Sequence, residues 1–513
     1  MAPTLVLTPV EAPVEDAVPE DPAPPRSAVT RGRVMVAVAA ALVLMVVVPV
    51  AFVDWTRNTG TPGNTLLCLV ILAISAGRLA QAIAFDSRTM PRSLFYVFVY
   101  VFLAVPALAQ TVSGTYPLDG LTYSPSTVSA GLWHVLVGVL AYEAGWYLWR
   151  RRGEGAPGSL VPRFSFSPWR CVVVGGVGLL VAAYQVAQLG LLAFFTSRTD
   201  TVAALTGTSS GGTPYYQTEN KSAGLIGIFL AQIPVFIALF AILYARRHRL
   251  WPLPATPQRD LAWRGFIAAL VAANVVMNNP MGNGRFWFSL VILAFISIYV
   301  PFDRRHSQRF YVCSALLILF FSFASLDLYR SQSTTLEVAG PGTTFVENGT
   351  YAMFQMELNA IEFVDESGHT DGRQMLGYVF NFVPRAYWAD KPMPTGMLVD
   401  PPLARSTTAW SEFFVDYGAG GVLVIFLVWG MGSRALTIRS LRVPPGLLHA
   451  LLPVLAVYQI SLLRGSLLPL MGSLYQILFV VALLLARHPA RRDTTTDDPP
   501  LGTGRRELTW SGA

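Results

Sequence analysis

The chain has 513 residues, of which 53% are hydrophobic and 13% charged, with a mean hydropathy of +0.48. Soluble globular domains carry about 25% charged residues, so this balance excludes an ordinary water-soluble protein. The formal net charge of +7 falls in connections between apolar segments, which makes it a record of topology and argues against nucleic-acid binding.

Residues Met1 to Thr30 are rich in Pro, Ala, Asp and Glu without apolar periodicity, and predict a disordered cytoplasmic tail over 1–33. The acidic stretch precedes an apolar run, Val34 to Val53, that is long enough to span, so no cleavable signal peptide is expected. A bilayer core needs about 20 apolar residues per helix. Segments that qualify are centred near Ala40, Leu72, Val101, Val137, Leu180, Pro234, Val271, Leu293, Ile318, Ile425, Leu455 and Leu478. They predict an all-α polytopic membrane protein with about 12 transmembrane helices and one large external loop. Nine helices fall within 34–328, the loop is 329–411, three helices fall within 412–487, and 488–513 is a second cytoplasmic tail. Cys68, Cys171 and Cys313 all lie within predicted helices, which leaves no disulfide framework or cysteine-based metal site.

Orientation follows from the basic residues. Of 37 Lys and Arg, 26 lie in segments that alternate to one side, including Arg150 to Arg152, Arg246 to Arg264 and Arg434 to Arg442. The positive-inside rule makes that side the cytoplasm, with both termini inside and the long loop outside. Both lysines of the chain, Lys221 and Lys391, then fall outside.

The external loop, Tyr329 to Ser411, concentrates chemistry: Arg330, Glu357, Glu362, Asp365, His369, Arg373, Arg385, Asp390, Lys391 and Arg405, with Glu412 just beyond. Within it, Glu347 to Glu366 carries Tyr351, Phe354, Leu358 and Ile361 at helical spacing. This segment and Met375 to Trp388 are both expected at the headgroup level as amphipathic helices, and for the first a loop helix simply packed on the bundle is the alternative. Three arginines stand at outer helix ends, where the positive-inside rule disfavours them: Arg285, Arg330 and Arg464. Guanidinium groups pair bidentately with phosphate, so a cluster there suits a lipid-linked phosphate or diphosphate; snorkelling or local ion pairing is the plainer alternative. Arg78 lies deeper, on the cytoplasmic half of its helix, and reads as a snorkelling or packing residue. In Phe382-Val383-Pro384-Arg385-Ala386-Tyr387-Trp388-Ala389-Asp390-Lys391-Pro392, two prolines bracket two cations and an aromatic platform, a set able to hold phosphate and stack on a sugar. The competing structural role is an aromatic-belt segment with an Asp390–Lys391 ion pair.

A Pro-Arg-x-x-Trp-x-x-Lys-Pro run in a large external loop resembles the bacterial oligosaccharide repeat-unit polymerases, the Wzy-type or O-antigen polymerase group. Ser411-Glu412-Phe413-Phe414-Val415-Asp416-Tyr417-Gly418, a Glu and an aromatic–Gly turn entering a helix, is similar to the segment that comes after the run in that group. The Asn279-Pro280…Gly284-Arg285 helix end and Leu463-Arg464-Gly465-Ser466 fit more loosely, and the likeness covers roughly Asn274 to Leu483. The resemblance implies a GT-C-like bundle in the bacterial cytoplasmic membrane that polymerises polyprenyl-diphosphate-linked oligosaccharide at its outer face. A flippase and a chain-length regulator are the implied protein partners. It implies diphosphate or substrate contacts from Arg285, Arg330, Arg385, Trp388, Lys391 and Arg464, and a base for which Glu412 is the first choice and His369, the one predicted external histidine, the second. Positive charge at the leaving diphosphate replaces a metal ion, so no metal or cofactor is expected. Glu412 also suits a plain structural role, as an acidic residue facing a helix dipole. The alternatives are an O-antigen-ligase-like enzyme with the same donor, a polyprenyl-phosphate-sugar-dependent glycosyltransferase, and a lipid-linked glycan transporter. The first external loop offers only Asp54 where the second of these carries an acidic pair. A transporter would place its charges in the mid-membrane core.

Overall fold

The computed structural model describes residues 31–57, 59–85, 89–118, 121–152, 164–195, 222–251, 256–280, 285–300, 305–322, 343–400, 405–442 and 447–487. The C-terminal tail after Arg487, the connection around Lys221 and the N-terminal tail up to Thr30 lie outside the described residues, while Arg31 to Arg33, expected in that tail, are helical. Among the described residues nine helices are long and apolar enough to cross a membrane, and three more apolar helices, Trp287–Tyr299, Ser307–Phe320 and Ala450–Arg464, are shorter. Each of the apolar centres picked out in the sequence falls on one of these helices, which makes the chain a multi-pass helical membrane protein.

In chain order the helices are α1 (Arg31–Phe52), α2 (Pro62–Ala84), α3 (Met90–Ser113), α4 (Pro125–Arg152), α5 (Pro168–Leu189), α6 (Ser222–Arg247), α7 (Pro257–Met277), α8 (Arg285–Tyr299) and α9 (Arg305–Leu317). After a single turn at Thr344–Glu347 come three short helices, α10 (Met353–Ser367), α11 (Arg373–Val379) and α12 (Thr395–Val399), and then α13 (Ala409–Arg442), α14 (Leu447–Arg464) and α15 (Leu467–Leu484). Helices α1 and α3 each contain a widened π segment, Val43–Val47 and Val99–Ala104, just before Pro49 and Pro106. Proline has no N–H to donate and its ring crowds the carbonyl four residues back, and the wider turn makes room for it. One departure from an all-α chain is a two-stranded antiparallel ribbon, β1 (Phe164–Phe166) with β2 (Leu485–Arg487). It ties the entry of α5 to the exit of α15, and the Trp251 indole N–H donates to the Phe166 carbonyl at 2.8 Å.

Helix α3 lies at the centre of the core and is buried throughout Ser93–Ser113. Around it Phe95 stacks on Tyr142 at 3.8 Å, while Trp410 packs on Phe98 and Phe426. Helices α4 and α13 run in backbone contact because both carry glycine at the crossing. A Cβ on Gly145 would strike the Leu427 carbonyl, and one on Gly430 would strike the Tyr142 carbonyl. Close approach through small residues is the usual solution in a bilayer, where apolar surface alone supplies no preference for a neighbouring helix.

Candidate functional site

The segment predicted to lie at the headgroup level divides into two parts. Helix α10 is buried throughout Met353–Ile361 and lies inside the bundle against α4 and α13. Within Glu347 to Glu366, the part from Met353 to Ile361 is therefore packed on the bundle, while Glu347, Asp365 and Glu366 are exposed. The reason is that its buried polar positions, Gln355, Glu357 and Asn359, all find partners. The Gln355 side chain accepts from the Leu118 N–H at 2.8 Å and donates to the Leu118 carbonyl at 3.0 Å. Tyr123 donates to Asn359. Glu357, fully buried, accepts from Ser411 Oγ at 2.7 Å and Thr408 Oγ1 at 3.2 Å, and lies 3.3 Å from His134 Nδ1. Unpaired polar groups at this depth would each cost about 1–3 kcal/mol, and pairing removes that penalty.

The second part, Met375 to Trp388, is helical only to Val379 and then continues as turns up to Pro384 and beyond. Its apolar residues reach outward, with Phe382 70% and Tyr387 87% exposed. The two cations of the proline-bracketed run are spent on the run itself. Arg385 donates to the carbonyls of Lys391 and Pro392 at 2.7 and 3.1 Å. Lys391 Nζ donates to those of Asn381 and Val383 at 2.6 and 3.0 Å. Burial, with the Arg385 guanidinium adding to it, lowers the Lys391 pKa. No ion pair joins Lys391 to Asp390 among the described residues; the Asp390 carbonyl instead accepts from Arg373 at 2.9 Å. Trp388 is half-buried, its N–H turned to the Pro384 and Arg385 carbonyls.

The first two turns of α13 organise everything around them. Thr408 caps the helix, its hydroxyl accepting the Ser411 N–H at 3.0 Å, as expected for a Thr just before a helical run. Gly418, at φ 65° and ψ −161°, breaks the helix between Tyr417 and Ala419, a conformation open to glycine and strained for other residues. On the short piece before this break stand three buried groups. Ser411 serves Glu357. Asp416 accepts from the Gln374 and Met375 N–H groups at 3.0 and 2.7 Å and from Thr370 Oγ1 at 2.5 Å, capping α11. Glu412 accepts from Tyr378 and Thr395 on one oxygen, and from Thr407 Oγ1 at 2.6 Å and the Leu467 N–H at 3.0 Å on the other. Burial and the adjoining Glu412 carboxylate raise the Tyr378 hydroxyl pKa far above its ordinary value and keep it a donor. Glu412 thus sits against the first turn of α15 and satisfies its orphan N–H. With each oxygen engaged by two donors, this geometry favours the structural role over a base.

His369 is exposed, its ring edge-on to Phe414 at 5.7 Å and lying over Gly418, where a Cβ would come within 3.2 Å of Cε1 and Nε2. On the inner side, the His134 ring lies 4.1 Å from the same Phe414. Arg464 reaches under the loop layer, donating to the Thr350 carbonyl at 3.0 Å with its guanidinium 5.3 Å from the Phe102 ring. Arg330 lies outside the described residues, and of Arg285 the backbone alone is described, as the first residue of α8. The structure therefore brings Arg385 and Lys391 together but holds Arg464 against different partners.

Sequence reading missed the Glu357–His134 pair, whose members are 223 positions apart, and it missed an apolar cleft. This cleft lies between α8, α9 and α14 and is lined by Leu293, Ala315, Ile318, Leu319, Val457 and Ile460, with Ser289 and Ser461. Arg464 is one turn beyond Ile460 on α14, and α8 begins at Arg285, one turn before Ser289, so both arginine positions flank the same end. No protein family, curated protein or solved structure matches this chain.

Proposed function

We propose that the chain polymerises polyprenyl-diphosphate-linked oligosaccharide repeat units by glycosyl transfer at the outer face of the bacterial cytoplasmic membrane, for a surface polysaccharide. The observation that carries the reading is the apolar cleft between α8, α9 and α14, flanked at one end by the positions of Arg285 and Arg464. An isoprenoid chain is apolar, as most of this lining is, and arginine at the two flanking positions suits the diphosphate. The Pro-Arg-x-x-Trp-x-x-Lys-Pro run supports the same reading. Its cations shape the loop through carbonyl contacts, and its exposed aromatics offer a platform for sugar.

In the reaction, the anomeric C–O bond to the diphosphate breaks as an acceptor hydroxyl oxygen bonds to that carbon. The hydroxyl proton passes to a base, and the lipid diphosphate leaves as an anion met by fixed positive charge. His369, exposed above the Gly418 break, takes the base role here. Glu412 acts as a positioning residue that locks α13, α15 and the loop. The test is purified protein with labelled lipid-linked repeat units and chelator, read as a polymer ladder. The reading requires a ladder that His369→Gln abolishes. Transfer of one unit to a non-repeat acceptor would make the chain a ligase, and a strict divalent-metal requirement would favour a polyprenyl-phosphate-sugar-dependent enzyme.

A further inference from the structure

At the end of the bundle away from the buried loop layer, α2, α3 and α4 meet around one carboxylate. Glu143 accepts from Arg92 Nε at 2.9 Å and Nη2 at 2.5 Å, from Arg78 Nη2 at 2.8 Å and from Tyr96 OH at 2.6 Å. The Arg92 guanidinium also lies 5.3 Å from the Trp146 ring, and that of Arg434 lies 5.1 Å from it. Glu143 is the one carboxylate bonded to Arg78 and Arg92 among the described residues, so positive charge exceeds negative. A small open cleft adjoins them, lined by Arg78, Gln81, Thr89, Arg92, Ser93 and Tyr96. The first turn of α3 starts at its edge with Met90, and the partial positive charge of a helix N-terminus adds to that of the arginines.

The outer surface of α4 says what reaches this cleft. Trp133, Leu140 and Tyr147 recur every seven residues and are 52%, 50% and 42% exposed, which forms one apolar track along a membrane-spanning helix. The track ends at the arginines: Tyr147 OH lies 3.5 Å from Arg78 Nη2 and 3.3 Å from Arg92 Nη2. We propose that the cleft binds the phosphate headgroup of an anionic membrane lipid, with an acyl chain lying on the Trp133–Leu140–Tyr147 track. Arg78, partly exposed, makes the direct contact, while Arg92 is held in place by Glu143. This site is distinct from His369 and Arg464, which belong to the opposite end, and it does not depend on the glycosyl-transfer reading.

Native mass spectrometry of the purified full-length protein tests it, using dioleoyl phosphatidate, dioleoyl phosphatidylcholine and inorganic phosphate as probes. The protein should retain phosphatidate at least about tenfold over phosphatidylcholine, and Arg78→Gln should lose about tenfold of that retention. Arg78→Lys should fall between, because it keeps charge and loses the planar fork. Arg92 and Tyr96 still hold Glu143 in both variants, so their melting should stay near that of the parent. Photo-crosslinking of phosphatidate to the unsubstituted protein should give adducts on α4 between Trp133 and Tyr147, a readout independent of any variant. Equal retention of the two lipids, unchanged retention in Arg78→Gln, or adducts confined to other helices would overturn the proposal. Displacement of the lipid by equimolar inorganic phosphate would assign the cleft to free phosphate and overturn the lipid.

Discussion

Removing Glu412 separates structure from chemistry most cleanly. Glu412→Ala leaves four buried donors without their acceptor: the hydroxyls of Tyr378, Thr395 and Thr407 and the Leu467 N–H. The hydroxyls can turn, and Thr395 and Thr407 have Tyr378 and Ser466 at 3.2 Å as substitute partners. The Leu467 N–H opens a helix and cannot turn. A stranded buried donor costs about 1–3 kcal/mol, and with the void left by the side chain the total comes to about 3–5 kcal/mol. Thermal stability in detergent, followed by loss of the monodisperse chromatographic peak, should fall by about 3–5 °C. Glu412→Gln keeps an oxygen for Leu467 and Thr407 and places its amide against two hydroxyls able to accept, so it should cost about 1 kcal/mol. Its polymer ladder should persist. An alanine variant as stable as the parent would refute the clamp, and a stable glutamine variant with no ladder would return Glu412 to catalysis.

Burial raises the Glu362 pKa, with Glu366 and Asp365 adding to it. The folded state therefore holds a proton more tightly than the unfolded chain, a stabilising effect present below about pH 4.5 and lost as pH rises through the folded value. Glu362→Gln should melt about 1 °C higher than the parent at pH 7 and show no gain below pH 4.5; a gain independent of pH would contradict this. Gly430→Val should separate α4 from α13 and remove most folded protein from membranes, whereas Gly432→Ala, with open space around it, should be neutral by the same blot. Arg464→Lys and Arg285→Lys should slow polymerisation by about 10²–10³-fold despite retained charge, because the fork geometry is lost; unaltered ladders would remove the leaving-group role.

The helices were legible because a bilayer demands long apolar runs, and the aromatic–Gly turn at Tyr417-Gly418 could be read from residue type. The depth of α10 was not. Tyr351, Phe354, Leu358 and Ile361 have the spacing of a surface helix and of a buried one alike. What decides between them is whether Gln355, Glu357 and Asn359 find partners, and those partners lie at Leu118, Tyr123 and His134, far away in the chain. Arg385 and Lys391 were visible as a cationic pair, but their targets are carbonyls brought close by turns, and turn geometry is not written in residue type. Arg78 read as a snorkelling or packing residue because Glu143, its partner, is 65 positions away.

Sided reconstitution tests the central claim most directly. Ser367→Cys and Gln258→Cys, each at an exposed position, report by impermeant labelling which face of each proteoliposome bears the loop layer. Lipid-linked repeat units are then supplied to one face. Polymer should form only where the labelled Ser367→Cys face meets substrate, with one polyprenyl diphosphate released per linkage. Polymer formed at the Gln258→Cys face, or no diphosphate released with the chains, would contradict the account.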